Sequence, residues 1–267
     1  MYTSLFRYLR PETLAEAEAL FQQSSDARYL AGGQTLIPTM KQRLASPAEL
    51  IDIGRISSLS FIRRAGDRLT IGAATPHAEV AASAEVRNAI PALAALAGLI
   101  GDPAVRHKGT LGGSIANNDP AADYPAGLLA LGATAKTTQR TIAADVFFTG
   151  MFETALEAGE IVTEVVFPVP RRAGYAKFPN PASRYAMVGV FVAVHTDGVR
   201  VAVTGAAPCV FRVPEMEAAL VRDFRPEALA QIAVAADGLN SDLFASAEYR
   251  AHLVNVMARR AVAAAML

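Results

Sequence analysis

Apolar residues Leu14, Ala17, Leu20 and Phe21 recur at helical spacing behind Pro11, which a first helical turn tolerates, and predict a helix over 11–23. A short strand is predicted at 28–31, stopped by Gly32 and Gly33. A second helix follows over 36–44, then an alternating strand at 49–53. This interleaving favours an α/β unit. From Leu59 the pattern changes. Runs 59–63 and 68–72 flank Ala65-Gly66-Asp67 as a hairpin, and helical spacing covers 76–83 and 91–100. Segment 101–123 reads as loop-rich. A helix near 126–131 and strands at 133–138 and 161–167 come next. Four prolines make 168–181 the expected linker. Beyond it, 187–195 and 199–203 read as strands joined by Thr196-Asp197-Gly198. Segment 213–267 is Ala-rich and helical in pattern. Strands followed by helices suggest a separate α+β domain.

Composition narrows the function classes. Of 267 residues, 52% are hydrophobic and 19% charged, which excludes global disorder. Lys plus Arg is 25 and Asp plus Glu is 25, so no nucleic-acid or anionic-membrane surface is indicated. The one cysteine, Cys209, cannot ligate an iron–sulfur cluster or build a structural zinc site. Electrons, if handled, need an organic carrier. Segment 1–10 does not read as a secretory signal, and the longest apolar run, 90–101, is far short of the ~20 residues of a membrane helix. A cytoplasmic protein is expected.

Two glycine segments stand out: Ala31-Gly32-Gly33-Gln34-Thr35, and Thr110-Leu111-Gly112-Gly113-Ser114 after Gly109. Glycine lets a ligand approach the backbone, successive amides form an anion nest, and a helix start adds positive partial charge. Thr35, Thr110 and Ser114 add hydroxyl donors. Neither segment fits the usual dinucleotide or nucleoside-triphosphate fingerprint. Spacing alone gives two phosphate-binding loops or two plain turns.

The runs AGGQTLIPTMKQRLASPAELIDIGRI (31–56) and IGDPAVRHKGTLGGSIANNDPAADYPAGLLALGA (100–133) resemble the FAD-binding medium subunit of molybdenum-containing hydroxylases. That family includes the carbon monoxide dehydrogenase and xanthine dehydrogenase groups. Segments 147–168 and 176–194 extend the resemblance, which weakens in the helical tail. It implies an α+β fold: an N-terminal FAD-binding region of two α/β subdomains of the vanillyl-alcohol oxidase type, at 1–56 and 57–170. A C-terminal domain of a small antiparallel sheet plus helices would span 171–267. It also implies that Ala31, Gly32, Gly33, Gln34, Thr35, Thr110, Leu111, Gly112, Gly113 and Ser114 bind the pyrophosphate of FAD. Asp123 would contact the adenosine side, and Ile161 or Val162 the flavin. Lys177 opens the C-terminal domain, and Tyr185 would lie near the isoalloxazine ring.

The implied partners are a small subunit with [2Fe–2S] clusters and a large subunit with the molybdenum cofactor, assembled as a dimer of heterotrimers. The chain would pass electrons from the clusters to an external acceptor, with no proton-transferring catalytic residue and no metal site of its own. A free-standing FAD-dependent oxidoreductase and a scaffold without FAD are the competing readings. Other residues read blandly. His77 and His107 fit surface or capping positions, Cys209 a buried small hydrophobe, and Arg171, Arg172 and Arg184 a solvated basic surface.

Overall fold

The computed structural model describes residues 2–267. Strand β1 (Arg7–Leu9), helix α1 (Leu14–Gln22), strand β2 (Ala27–Leu30), helix α2 (Leu36–Lys41) and strand β3 (Glu49–Asp52) form the first unit. Its sheet is parallel, in the order β1-β3-β2. Helix α1 starts after Pro11 rather than at it. Thr13 caps it, accepting from the Glu16 amide while the Glu16 carboxylate reaches back to the Thr13 amide. β1, which the sequence reading passed over, is three residues long and two of them are exposed, so it carries almost no apolar pattern.

The second unit begins with β4 (Ile62–Ala65) and β5 (Arg68–Gly72). Helices α3 (His77–Ala82), α4 (Ala84–Ala89), α5 (Pro91–Gly98), α6 (Pro103–Lys108), α7 (Leu111–Asn117) and α8 (Tyr124–Leu131) follow. Then come β6 (Thr134–Thr137), β7 (Thr141–Ala143), α9 (Ala144–Phe147), the hairpin β8 (Phe148–Gly150) and β9 (Glu153–Thr154), and β10 (Val162–Pro168). The main sheet is antiparallel, in the order β4-β5-β10-β6-β7. Segment 101–123, expected as loop, carries α6 and α7. Both are short and cap-driven: Asp102 accepts from the Val105 amide, and Thr110 from the Gly113 amide. Their local hydrogen bonds outweigh the glycines that argued against helix.

The C-terminal sheet runs β11 (Arg172–Pro179), β12 (Ala186–Val194), β13 (Val199–Thr204) and β14 (Phe211–Arg212), antiparallel and in that order. β11 occupies most of the expected linker. Its prolines stand at strand margins, with Pro179 beyond a register shift, where no ladder bond is lost. α10 (Pro214–Arg222) and α11 (Ala247–Ala264) cover one face, and α8 packs on the other. The helical tail is therefore two α-helices, with a short 3-10 turn at Pro226–Leu229 and an irregular stretch over 230–246 between them.

β12 has helices on both sides, which explains its unbroken apolar sequence. Val188, Val190 and Val192 face the core shared with α11, while Phe191 and Ala193 face the core around α8. A third, smaller core joins the first unit to the second through Ile51, Ile56, Leu59, Ala74 and Ile161.

Candidate functional site

The first glycine segment leaves the carboxyl end of β2, where parallel sheets place their ligands. The second leads into α7. The two loops stack on each other. A Cβ on Gly32 would lie 2.0 Å from the Lys108 carbonyl oxygen and 2.8 Å from the Gly109 Cα, so only glycine permits this approach. Gly33 sits at φ 71, the left-handed region. Among the described residues, the amides of Gly32, Gly33, Gln34 and Thr35 bond to no carbonyl or side chain. Four consecutive free donors beside a helix start suit an oxyanion.

The second loop behaves differently. The Leu111 amide donates to the Thr75 carbonyl at 3.1 Å and the Gly112 amide to Ala73 at 2.8 Å, and the Leu111 side chain is fully buried. A Cβ on Gly112 would meet the Ala73 Cβ at 2.5 Å. Leu111 and Gly112 therefore brace the loop against the end of β5. Gly113 and the hydroxyls of Thr110 and Ser114 present its open side.

Both loops line one cleft of about 780 Å³, the size of a cofactor site. Ala31, Gly32, Gly33, Gln34, Thr35, Thr110, Gly112, Gly113, Ser114, Asp123, Ile161, Val162 and Tyr185 all line it. Leu111 and Lys177 do not. Ile161 and Val162 are buried on the cleft wall at the start of β10. Behind them, the buried Glu160 carboxylate accepts from Thr137, Arg140 and the Glu157 amide. Burial pushes its pKa up, but these donors together hold it below the usual value.

Asp123 and Lys177 meet across the domain boundary. The Lys177 Nζ donates to both Asp123 oxygens, at 2.9 and 3.0 Å, and to the Leu99 carbonyl at 2.9 Å. The two side chains are 3% and 4% exposed, so this is a buried pair. The Tyr175 hydroxyl also donates to Asp123. Burial raises the Asp123 pKa, opposed first by Lys177 and then by Tyr175. All three Nζ protons of Lys177 are committed within the protein. Tyr185 stands on the rim, 42% exposed. Its pKa is raised by burial first, then by the Asp119 and Asp123 carboxylates.

Several residues at the cleft or supporting the segments around it escaped the sequence reading. His77, expected at the surface, is 4% exposed and lines the cleft. Its Nδ1 has no partner, and burial, then Arg106, lowers its pKa to about 4. Thr204 donates to the Pro120 and Ala122 carbonyls, and the Gly205 amide to Pro120, tying β13 to the segment before Asp123. The buried Arg250 donates to the Met187 and Gly205 carbonyls and pairs with Asp242. These contacts join positions far apart in sequence, with no local motif to betray them. Asn118 is the exception. It takes φ 44, which asparagine tolerates, and its Nδ2 clamps the β8–β9 hairpin through the Gly150 and Glu153 carbonyls.

The donor set fits a diphosphate-bearing cofactor. The close stacking at Gly32 and the free amides of 32–35 together make a polar cradle inside a mainly apolar cleft. Among the described residues, no His, Cys, Asp or Glu cluster forms a metal site, and no helix is long and apolar enough to cross a membrane.

Comparison with known proteins agrees. Residues 4–170 match the family model for the FAD binding domain in molybdopterin dehydrogenase, and 173–265 the CO dehydrogenase flavoprotein C-terminal domain. The nicotine 6-hydroxylase medium subunit of Paenarthrobacter nicotinovorans is 36% identical over 96% of this chain and 95% of its own. The carbon monoxide dehydrogenase medium chain of Hydrogenophaga pseudoflava is also 36% identical, over 97% and 96%. The solved carbon monoxide dehydrogenase of Hydrogenophaga pseudoflava superposes with a TM-score of 0.89 at 37% identity, covering 100% of this chain and 99% of the other. Quinoline 2-oxidoreductase from Pseudomonas putida 86 gives 0.90 at 28% identity, covering 99% and 98%. Fold, glycine loops and full-length similarity converge: the chain belongs to the family of FAD-binding medium subunits of the molybdenum hydroxylases, an oxidoreductase component.

Proposed function

We propose that this chain is the electron-transfer subunit of its complex, accepting electrons from [2Fe–2S] clusters on a small partner subunit and passing them to an external acceptor. A large partner would hold the molybdenum cofactor and the organic substrate, in a cytoplasmic dimer of heterotrimers. The relatives' names, medium subunit and medium chain, support membership in a multi-subunit assembly. The lone cysteine supports the division of labour, since cluster ligands must come from another polypeptide. FAD, when bound, supplies the exchange between one- and two-electron chemistry.

The residues of this chain bind and orient it. In our reading the amides of 32–35 take the diphosphate, with Ala31 forming the turn that aims them. Thr110, Gly113 and Ser114 close the other side, braced by Leu111 and Gly112. Ile161 and Val162 exclude water along the flavin, and Tyr185 covers it at the rim. Asp123 faces the adenosine side, and Lys177 holds it there rather than touching the cofactor. The division at 56/57 and 170/171 is likewise ours, supported by the three larger sheets, one in each part.

The observation that carries this reading is the stack of two glycine loops on one cleft with four unspent amides. Flavin content per purified polypeptide tests it. Gly32→Ala should lose FAD, because its Cβ would collide with the Lys108 carbonyl at 2.0 Å. Gly33→Asp should lose it with less harm to the fold. Its Cβ meets only the Ile37 and Leu30 side chains, at 3.1 and 3.3 Å, and φ 71 strains any residue with a Cβ but aspartate less than most, while the carboxylate confronts the free amides. Full flavin content in a folded Gly33→Asp variant overturns the placement. Oxidation of an organic substrate by the isolated chain would favour a free-standing oxidoreductase instead.

A further inference from the structure

Two cationic side chains line the cleft with no carboxylate partner among the described residues: Arg28 on β2, and Arg184 in the loop between β11 and β12. Arg28 extends from a regular strand. Arg184 does not. Its φ is 62, the left-handed region that side chains with a Cβ enter at a cost of order 1–2 kcal/mol. A loop that needed only the turn would carry glycine there at no steric cost.

The loop is built to hold this conformation. Asn180 is buried, and its side-chain oxygen accepts from the Ala182 and Ser183 amides at 2.9 and 3.1 Å. Its carbonyl accepts from the Arg184 amide at 2.9 Å, and its own amide donates to the Tyr185 carbonyl at 2.8 Å. The next residue, Ala186, is anchored by its amide to the Ala121 carbonyl across the cleft wall. A costly backbone state, fixed by its surroundings beside a binding cleft, points to a role for the side chain it presents. That side chain is a permanently charged, forked donor suited to phosphate and carboxylate. It is exposed at the rim, while in the reading above the free amides of 32–35 take the diphosphate within the cleft.

We propose that Arg184 is the docking point for an anionic electron acceptor, one bearing phosphate or carboxylate groups. The inference rests on the electron-transfer reading above and adds the chemical class of the acceptor and the residue that meets it.

The test uses the FAD-loaded protein, reduced anaerobically and mixed with one of two oxidants. Ferricyanide is the anionic probe; two ions each take one electron per reduced flavin, and two protons pass to the buffer. Benzoquinone is the neutral probe, taking two electrons and two protons. Arg184→Gln should slow reoxidation by ferricyanide about tenfold at low salt, the scale of electrostatic steering, and leave benzoquinone unchanged. Arg184→Lys should keep most of the ferricyanide rate. Arg222→Gln, which removes an equal charge from α10 away from the cleft, should change neither. The wild-type preference should fade as ionic strength rises past about 0.1 M.

Equal slowing of both oxidants, or of neither, overturns the proposal. So does loss of FAD from Arg184→Gln, which would assign the guanidinium to the cofactor itself. Wild-type protein that never takes up FAD overturns the underlying reading as well, and that failure is visible before any oxidant is added.

Discussion

His77 shows how a single buried side chain sets a pH limit on the whole fold. Its imidazole is 4% exposed and its pKa falls from 6.5 to about 4, chiefly because burial penalises the cation. The unfolded chain binds this proton near pH 6.5, whereas the folded chain resists it until about pH 4. The stabilisation is therefore complete above the unfolded value and drains away as pH falls from about 6.5 to about 4. Between pH 7 and pH 5 this residue alone should remove about 2 kcal/mol. Urea unfolding at the two pH values checks it. His77→Gln should flatten that part of the profile, and an unchanged slope would show that the ring takes up its proton at the same pH folded and unfolded. The sequence could not announce this. A histidine after Thr75-Pro76 looks like a helix start, and only the packing of its ring beside Tyr124 and Gly109 reveals the burial. The glycine loops were legible for the opposite reason. A backbone approach as close as that of Gly32 to Lys108 can be met by one residue type, so the constraint is written into the sequence.

Between elements, the Asp123–Lys177 pair bolts the start of α8 to β11. Neither partner is dispensable once the other is buried, since a lone buried charge costs more than the pair returns. Lys177→Met should destabilise the protein by about 3–5 kcal/mol, or force Asp123 to take up a proton. Asp123→Leu combined with Lys177→Met should recover most of that loss. Denaturant midpoints of the single and double variants separate the cases. An additive double variant would mean that the two side chains act independently. The elements themselves were readable where periodicity was long, as in α1 and β12. They were missed where they are short and fixed by caps, as in α6 and α7. β11 was hidden by prolines that sit at its ends. Asp123 could be picked out within its loop, but its tether could not, because Lys177 lies 54 residues away.

At the scale of the molecule, the three larger sheets share their cores. All eight residues of α8 are buried. The largest core joins α8 to Tyr175, Phe191, Ala193 and Ala202 of the C-terminal sheet. The division apparent in the sequence at the prolines near 168–181 is thus a break in chain pattern without a break in packing. Removing 171–267 would strip α8 of its covering, leave Asp123 without Lys177 and free the Pro120–Ala122 carbonyls from Thr204 and Gly205. An apolar helix laid open over that length is an aggregation surface. A fragment of residues 2–170 should therefore be insoluble or molten, and the intact chain should melt in one transition whether followed by near-UV circular dichroism or by far-UV signal. A soluble fragment with native near-UV signal, or two separated transitions in the whole chain, would show that the FAD-binding half folds alone. The cleft would then owe its shape to the glycine loops and not to the sheet that closes behind them. In the structure as it stands, Ser183, Arg184 and Tyr185 of the loop between β11 and β12 line the cleft, so the half that carries the glycine loops has only part of the cleft wall.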